Sequence, residues 1–189
     1  MIDREQYTPG PASVARVRKD GETWTLTLVR ELRHPPEEVW QALTDPAQLR
    51  EWAPFDADRS LGTVGTTVRL TTVGAPTPHV TETTVTRADA PNVLEYNWGG
   101  FDMRWELEAF GGGTRLTLST NIDRRFISMG AAGWHICFDV LERLIAGEPI
   151  GRIVGPEAMK FGWQRLHAEY AKEFDIETPD GPSQKERTN

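Results

Sequence analysis

Ala131-Ala132-Gly133-Trp134-His135-Ile136-Cys137-Phe138-Asp139-Val140-Leu141-Glu142-Arg143-Leu144-Ile145-Ala146-Gly147 is the one long apolar stretch with helical periodicity in this chain, and it follows a run of strand-like segments. At about 100° per residue, Ile127, Ala131, Trp134, Phe138, Leu141 and Ile145 share one stripe, with Cys137 and Leu144 at its edge. A stripe that broad must be covered by another layer. Gly147 stands where a helix stops, and Glu142 and Arg143 fall on the polar side. Strands first and helix last predict a sheet wrapped around this helix.

Upstream, the clearest period of two is Phe101, Met103, Trp105 and Leu107 against Asp102, Arg104, Glu106 and Glu108, bounded by Gly99-Gly100 and Gly111-Gly112-Gly113. Further strands are predicted at 66–73, 80–87, 92–98 and 114–122, with a weak one at 56–59. Such short connections imply an antiparallel meander. A first strand is expected at 22–33, where Trp24, Leu26, Leu28 and Leu32 alternate with Thr25, Thr27, Glu31 and Arg33. His34-Pro35-Pro36-Glu37-Glu38 then opens a short helix with Val39, Trp40 and Leu43 on its inner face, Pro46 breaks it, and a second short helix spans 47–52. The reading is an α+β fold: an antiparallel sheet of six or seven strands, two short helices after strand one, the long helix, and one additional C-terminal helix. That last helix is opened by Pro156 and marked by Met159, Trp163, Leu166, Tyr170 and Phe174. Residues 1–20 are expected to be poorly ordered, 21–174 to form a single domain with its core in 22–146 and the extra helix at 156–174, and 175–189 to be a disordered tail.

With 189 residues the chain is long enough to bury a core without a disulfide or metal staple. Its single cysteine, Cys137, excludes an intramolecular disulfide and fits a reducing compartment, so the cytoplasm is the expected location. No run approaches a membrane span, and 28 acidic against 21 basic side chains disfavour nucleic acid as a partner.

The opening Arg30-Glu31-Leu32-Arg33-His34-Pro35-Pro36-Glu37-Glu38-Val39-Trp40-Gln41-Ala42-Leu43-Thr44-Asp45-Pro46, then Leu49 and Trp52, and the later Gly133-Trp134-His135 with Leu141, resemble the START-like helix-grip (SRPBCC) superfamily. Within it they look like the bacterial branch named after the activator of the heat-shock-protein-90 ATPase. The resemblance covers about residues 22–146. It implies a curved sheet gripping the long helix, with an apolar cavity between them that in many members holds a lipid-like or aromatic molecule. It implies no single reaction: some relatives are polyketide cyclases or aromatases, some are carriers or sensors, and one is a co-chaperone with an additional N-terminal domain not found in this chain.

Trp24, Trp98, Trp105 and Trp134, with Met103, Phe138 and Leu141, supply aromatic and apolar walls for such a ligand, and His79 and Glu82 are polar candidates at its edge. The competing explanation is that the aromatics simply fill the core. For catalysis, His135 and Asp139 lie one turn apart and Glu82 is the remaining carboxylate of interest, yet His135 falls on a helix flank away from the apolar stripe. No third ligand completes a metal site, Cys137 reads as a buried inert thiol, and neither a nucleophile elbow nor a dinucleotide or phosphate loop is present, so no cofactor is expected. Binding of a small hydrophobic or aromatic molecule between the sheet and the long helix, as a carrier or sensor, is the favoured function. A cyclase-like enzyme is the alternative, as is an interaction protein working through the helix from Glu157 to Phe174, which an exposed apolar patch there would support.

Overall fold

The computed structural model describes residues 3–176. The elements are β1 (Ala15–Asp20), β2 (Thr23–Leu32), α1 (Pro36–Thr44), α2 (Pro46–Trp52), β3 (Phe55–Ala57), β4 (Thr67–Thr72), β5 (His79–Thr84), β6 (Arg87–Asp89), β7 (Val93–Trp98), β8 (Phe101–Phe110), β9 (Gly113–Asn121), α3 (Ile127–Ile145) and α4 (Trp163–Glu173). Six strands form one antiparallel sheet in the order β1-β2-β9-β8-β7-β6, and β3-β4-β5 form a smaller second sheet. The sheet curves around α3, giving the helix-grip architecture.

Register decides which face each side chain takes. Trp105 pairs with Leu118 and Leu94, and Leu118 with Leu28, so a buried row crosses four strands under α3. The intervening Arg104 and Glu106 point outward and pair with each other at 2.7 Å. At the start of β9, a Cβ on Gly113 would lie 2.0 Å from the carbonyl oxygen of Leu32, so only glycine lets β9 approach the end of β2 there.

The helices follow their local chemistry. Pro36 occupies the first turn of α1 with Glu37 and Glu38 at its positive end. Pro46 ends α1 and also opens α2, whose Ala47 N–H donates to the Asp45 carboxylate at 3.0 Å. α3 buries its predicted stripe from Ile127 to Leu141, with Ile145 half-buried, but Ala132, His135, Ile136 and Val140 are buried as well, because α4 and the N-terminal segment cover the opposite side.

Three expectations need correction. Residues 1–20 were expected to be poorly ordered, yet within 3–20 a 3-10 turn at Arg4–Gln6 precedes a buried Tyr7 and strand β1. The Arg4 guanidinium donates to the carbonyls of Ile150, Gly151 and Arg152 at 2.8–3.0 Å and pairs with Glu157 at 2.6 Å. These are partners a local pattern cannot reveal. The strand expected at 80–87 is two strands: Val85 N–H still donates to Thr66, whereas Thr86 N–H donates to Glu95, so the chain changes sheets at that point. The helix expected at 156–174 is a 3-10 segment at Gly155–Phe161 followed by α4, separated by Gly162 at φ 80°, a left-handed conformation suited to glycine. Of the tail expected at 175–189, residues 177–189 lie outside the described residues.

Candidate functional site

Where the N-terminal half of α3 crosses the ends of β7, β8 and β9, the layers diverge and leave an open cavity of about 510 Å³. The sheet contributes Trp98, Met103, Thr120 and Ile122; α3 contributes Met129, Gly133, Trp134 and Cys137; the segment 153–163 closes the third side with Ile153, Ala158, Met159 and Trp163. The lining is almost wholly apolar. Phe101, Phe126, Met129 and Met159 edge it and remain 38–50% exposed.

Its aromatic walls are fixed from behind. The Trp98 indole N–H donates to Thr72 Oγ1 at 3.0 Å, and its ring meets Trp134 edge-on at 6.0 Å. Trp134 in turn stands edge-on to the fully buried Trp105 at 5.6 Å. Two glycines one turn apart shape the helical wall. A Cβ on Gly130 would come within 2.7 Å of Ile122 Cδ1, so a larger residue there would make the Ile122 side chain swing aside. A Cβ on Gly133 would meet nothing within 4 Å, so its absence leaves space in the cavity. Cys137 lines the cavity, but burial pushes its thiol up to about 12, which keeps it protonated and unreactive.

Of the residues expected at the ligand, Trp98, Met103 and Trp134 come together at this cavity. Trp105, Phe138 and Leu141 do not line it; they lie deeper, in the core between sheet and helix. Trp24 lies instead at a neighbouring polar depression. Glu82 alternates to the outer face of β5 and pairs with Arg69 at 3.1 Å, and His79 is exposed at the start of that strand. Both are corrected from cavity wall to surface: Glu82 takes the face opposite Thr81 and Thr83, whereas His79 shares their face but is exposed at the open start of the strand. The pattern also missed Phe101, Ile122, Phe126, Met129, Gly133 and the whole 153–163 wall; the Gly130, Gly133 spacing was the available signal.

The acid-base candidates gather elsewhere. On the flank of α3 facing the N-terminal segment and α4, Asp139 accepts from Arg30 at 2.5 Å and from the Tyr7 hydroxyl at 2.6 Å. His135 Nδ1 lies 2.8 Å from the Tyr170 hydroxyl, and its Nε2 lies 3.6 Å from Asp139. Ser13 N–H donates to Tyr170 at 3.0 Å. Burial holds the His135 pKa below its ordinary value despite Asp139, and burial followed by the Asp139 charge drives Tyr7 strongly upward. This network joins four elements but none of its members lines the cavity, and with Glu82 on the surface no acid-base candidate reaches it. Among the described residues no cluster of His, Cys, Asp or Glu could hold a metal ion, and no helix is long and apolar enough to cross a membrane.

No curated protein matches the chain. Among solved structures it is similar to a conserved protein of unknown function from Enterococcus faecalis, with 18% identity, 84% of this chain and 89% of that chain covered, and a TM-score of 0.64. It is also similar to CalU16 from Micromonospora echinospora (23% identity, 83% and 92% covered, TM-score 0.57) and to an AHSA1-like protein from Aeromonas hydrophila (19%, 65% and 92%, 0.54). These likenesses concern the fold. The family model described as activator of Hsp90 ATPase homolog 1-like protein matches residues 33–146, from the end of the first long strand through α3. The chain therefore belongs to the activator of Hsp90 ATPase homolog 1-like family.

Proposed function

We propose that this protein binds a small hydrophobic or aromatic molecule in the cavity between sheet and α3, as a carrier or sensor. The observation that carries this reading is the cavity itself: about 510 Å³ of apolar space, open to solvent and walled by Trp98, Met103 and Trp134. That volume lies in the range of roughly 300–1,000 Å³ usual for small-molecule sites. Two fixed indoles give it a rigid shape, so little ordering entropy opposes a ligand that fits. The cyclase-like alternative has no convergent acid or base in the cavity to support it. For the interaction-protein alternative, α4 already spends its apolar Leu166, Tyr170 and Ala171 in the core, and Met159 is the one strongly exposed large apolar side chain from Glu157 to Phe174, at the cavity edge.

Tryptophan emission titrated with a panel of apolar dyes and fatty alcohols tests the reading, alongside native mass spectrometry of freshly purified protein for a retained small molecule. Saturable quenching is expected for the native chain, and Gly133→Met, which places a flexible side chain in the open space, should abolish it without loss of folding. Emission unchanged across the panel removes the binding reading.

A further inference from the structure

The apolar cavity continues past its edge. Phe101 and Ile122 line it on one side and, on the other, line a second, polar depression of about 360 Å³ that also takes in Trp24 and Arg124. The Trp24 ring carries two cations: Lys19 Nζ lies 5.6 Å from its centroid and the Arg124 guanidinium carbon 5.9 Å. Among the described residues, neither Lys19 nor Arg124 is paired with a carboxylate. Asp123, beside Arg124 in sequence, is committed to Arg125, with two contacts of 3.0 Å. That hydrogen bonding pushes its pKa down to about 2, so it stays charged and occupied. Glu22 is the other carboxylate of the depression. Arg124 in the lining and Lys19 over the Trp24 ring thus stand against Glu22 as the one uncommitted acid of the lining, a locally positive spot in a chain of net charge −7.

We propose that the ligand of the cavity is an amphipathic anion, with its apolar body between Trp98 and Trp134 and an acidic head group, carboxylate or phosphate, beside Arg124. This rests on the binding reading above and adds the class of molecule. A guanidinium held over an indole loses part of its rotamer freedom before a ligand arrives, and its forked donors match both kinds of oxyanion. The head group remains near solvent, so its contribution is that of an exposed ion pair, about a fivefold gain in affinity, and it weakens with salt. An amine at the same place meets like charge from Lys19 and Arg124.

Four probes of one chain length test this at low ionic strength: decanoate, decyl phosphate, decanol and decylamine, each titrated against the native chain and Arg124→Gln. The expected result is that the acids bind the native chain about fivefold more tightly than decanol, with decylamine weakest. Whichever acid binds more tightly identifies the head group. Arg124→Gln should erase the advantage of the acids and leave decanol unchanged, and salt at about 0.5 M should shrink that advantage in the native chain. Decanol binding as tightly as both acids, or an acid preference that survives Arg124→Gln, overturns the proposal while leaving the binding reading intact. Failure of all four probes to bind overturns both.

Discussion

Truncating Phe138 to Ala probes the contact between α3 and the sheet. Phe138 is 2% exposed, and its ring lies 6.0 Å from Trp105 and 6.2 Å from Trp134, with the Arg30 guanidinium 5.8 Å away on another side. Removing a buried Phe side chain costs about 3–5 kcal/mol, the larger values arising where neighbours cannot collapse into the void. Here they cannot easily do so: Trp105 is braced by Trp52 at 6.0 Å, and Arg30 is tied to Asp139. The expected loss is therefore at least about 4 kcal/mol, in the upper half of that range. With a urea dependence of about 2 kcal/mol per molar, the unfolding midpoint should fall by about 2 M. Urea titration followed by far-UV circular dichroism measures this, and because Phe138 does not line the cavity, affinity of the folded fraction for any apolar ligand should persist. A loss under about 1 kcal/mol would refute the close packing of α3 on β8.

Two further outcomes follow from the buried groups. His135 has a folded pKa below its ordinary 6.5, so the unfolded chain takes up this proton first as pH drops; stability should be constant in this respect above about pH 7 and fall as pH decreases below 6.5, and His135→Asn should flatten that portion of the curve in pH-dependent denaturation. A native chain whose stability rises on acidification through that window contradicts the placement of His135. Cys137 should react far more slowly with iodoacetamide at pH 8 than a free thiol, since its pKa of about 12 leaves almost no thiolate; labelling at the rate of free cysteine would show that the wall it occupies opens to water.

Much of the scaffold was readable because alternation and helical stripes report which face of an element is buried. β8 runs from Phe101 to Phe110, the limits set by its flanking glycines, and Trp134, Phe138 and Leu141 all face inward. Periodicity says nothing, however, of position along the crossing between helix and sheet. Trp134 and Leu141 share a stripe, yet only Trp134 lies where the layers part, so wall and core could not be separated from pattern alone. Nor do long-range polar partners leave a local trace. Arg4 and Tyr7 sit in a segment of weak periodicity and find Ile150 and Asp139 far along the chain, and His135 is buried because α4 covers a flank that the helix by itself would leave wet.

The third wall of the cavity stands apart from the rest of the architecture. Segment 153–163 lies beyond residues 33–146, over which the chain matches its family, and it is fastened from the other end of the molecule by Arg4 on the carbonyls of 150–152 and on Glu157. Scaffold and contour are thus encoded in separate stretches of sequence. Substitutions at Met159 and Trp163, which are not fully buried, can reshape the chamber without disturbing the sheet or the gripping helix, whereas Ile153 and Ala158 are held in the core and Gly155 by its close approach to Gly74. Divergence among relatives should be most informative at this modular flap, far more so than in the braced aromatic core.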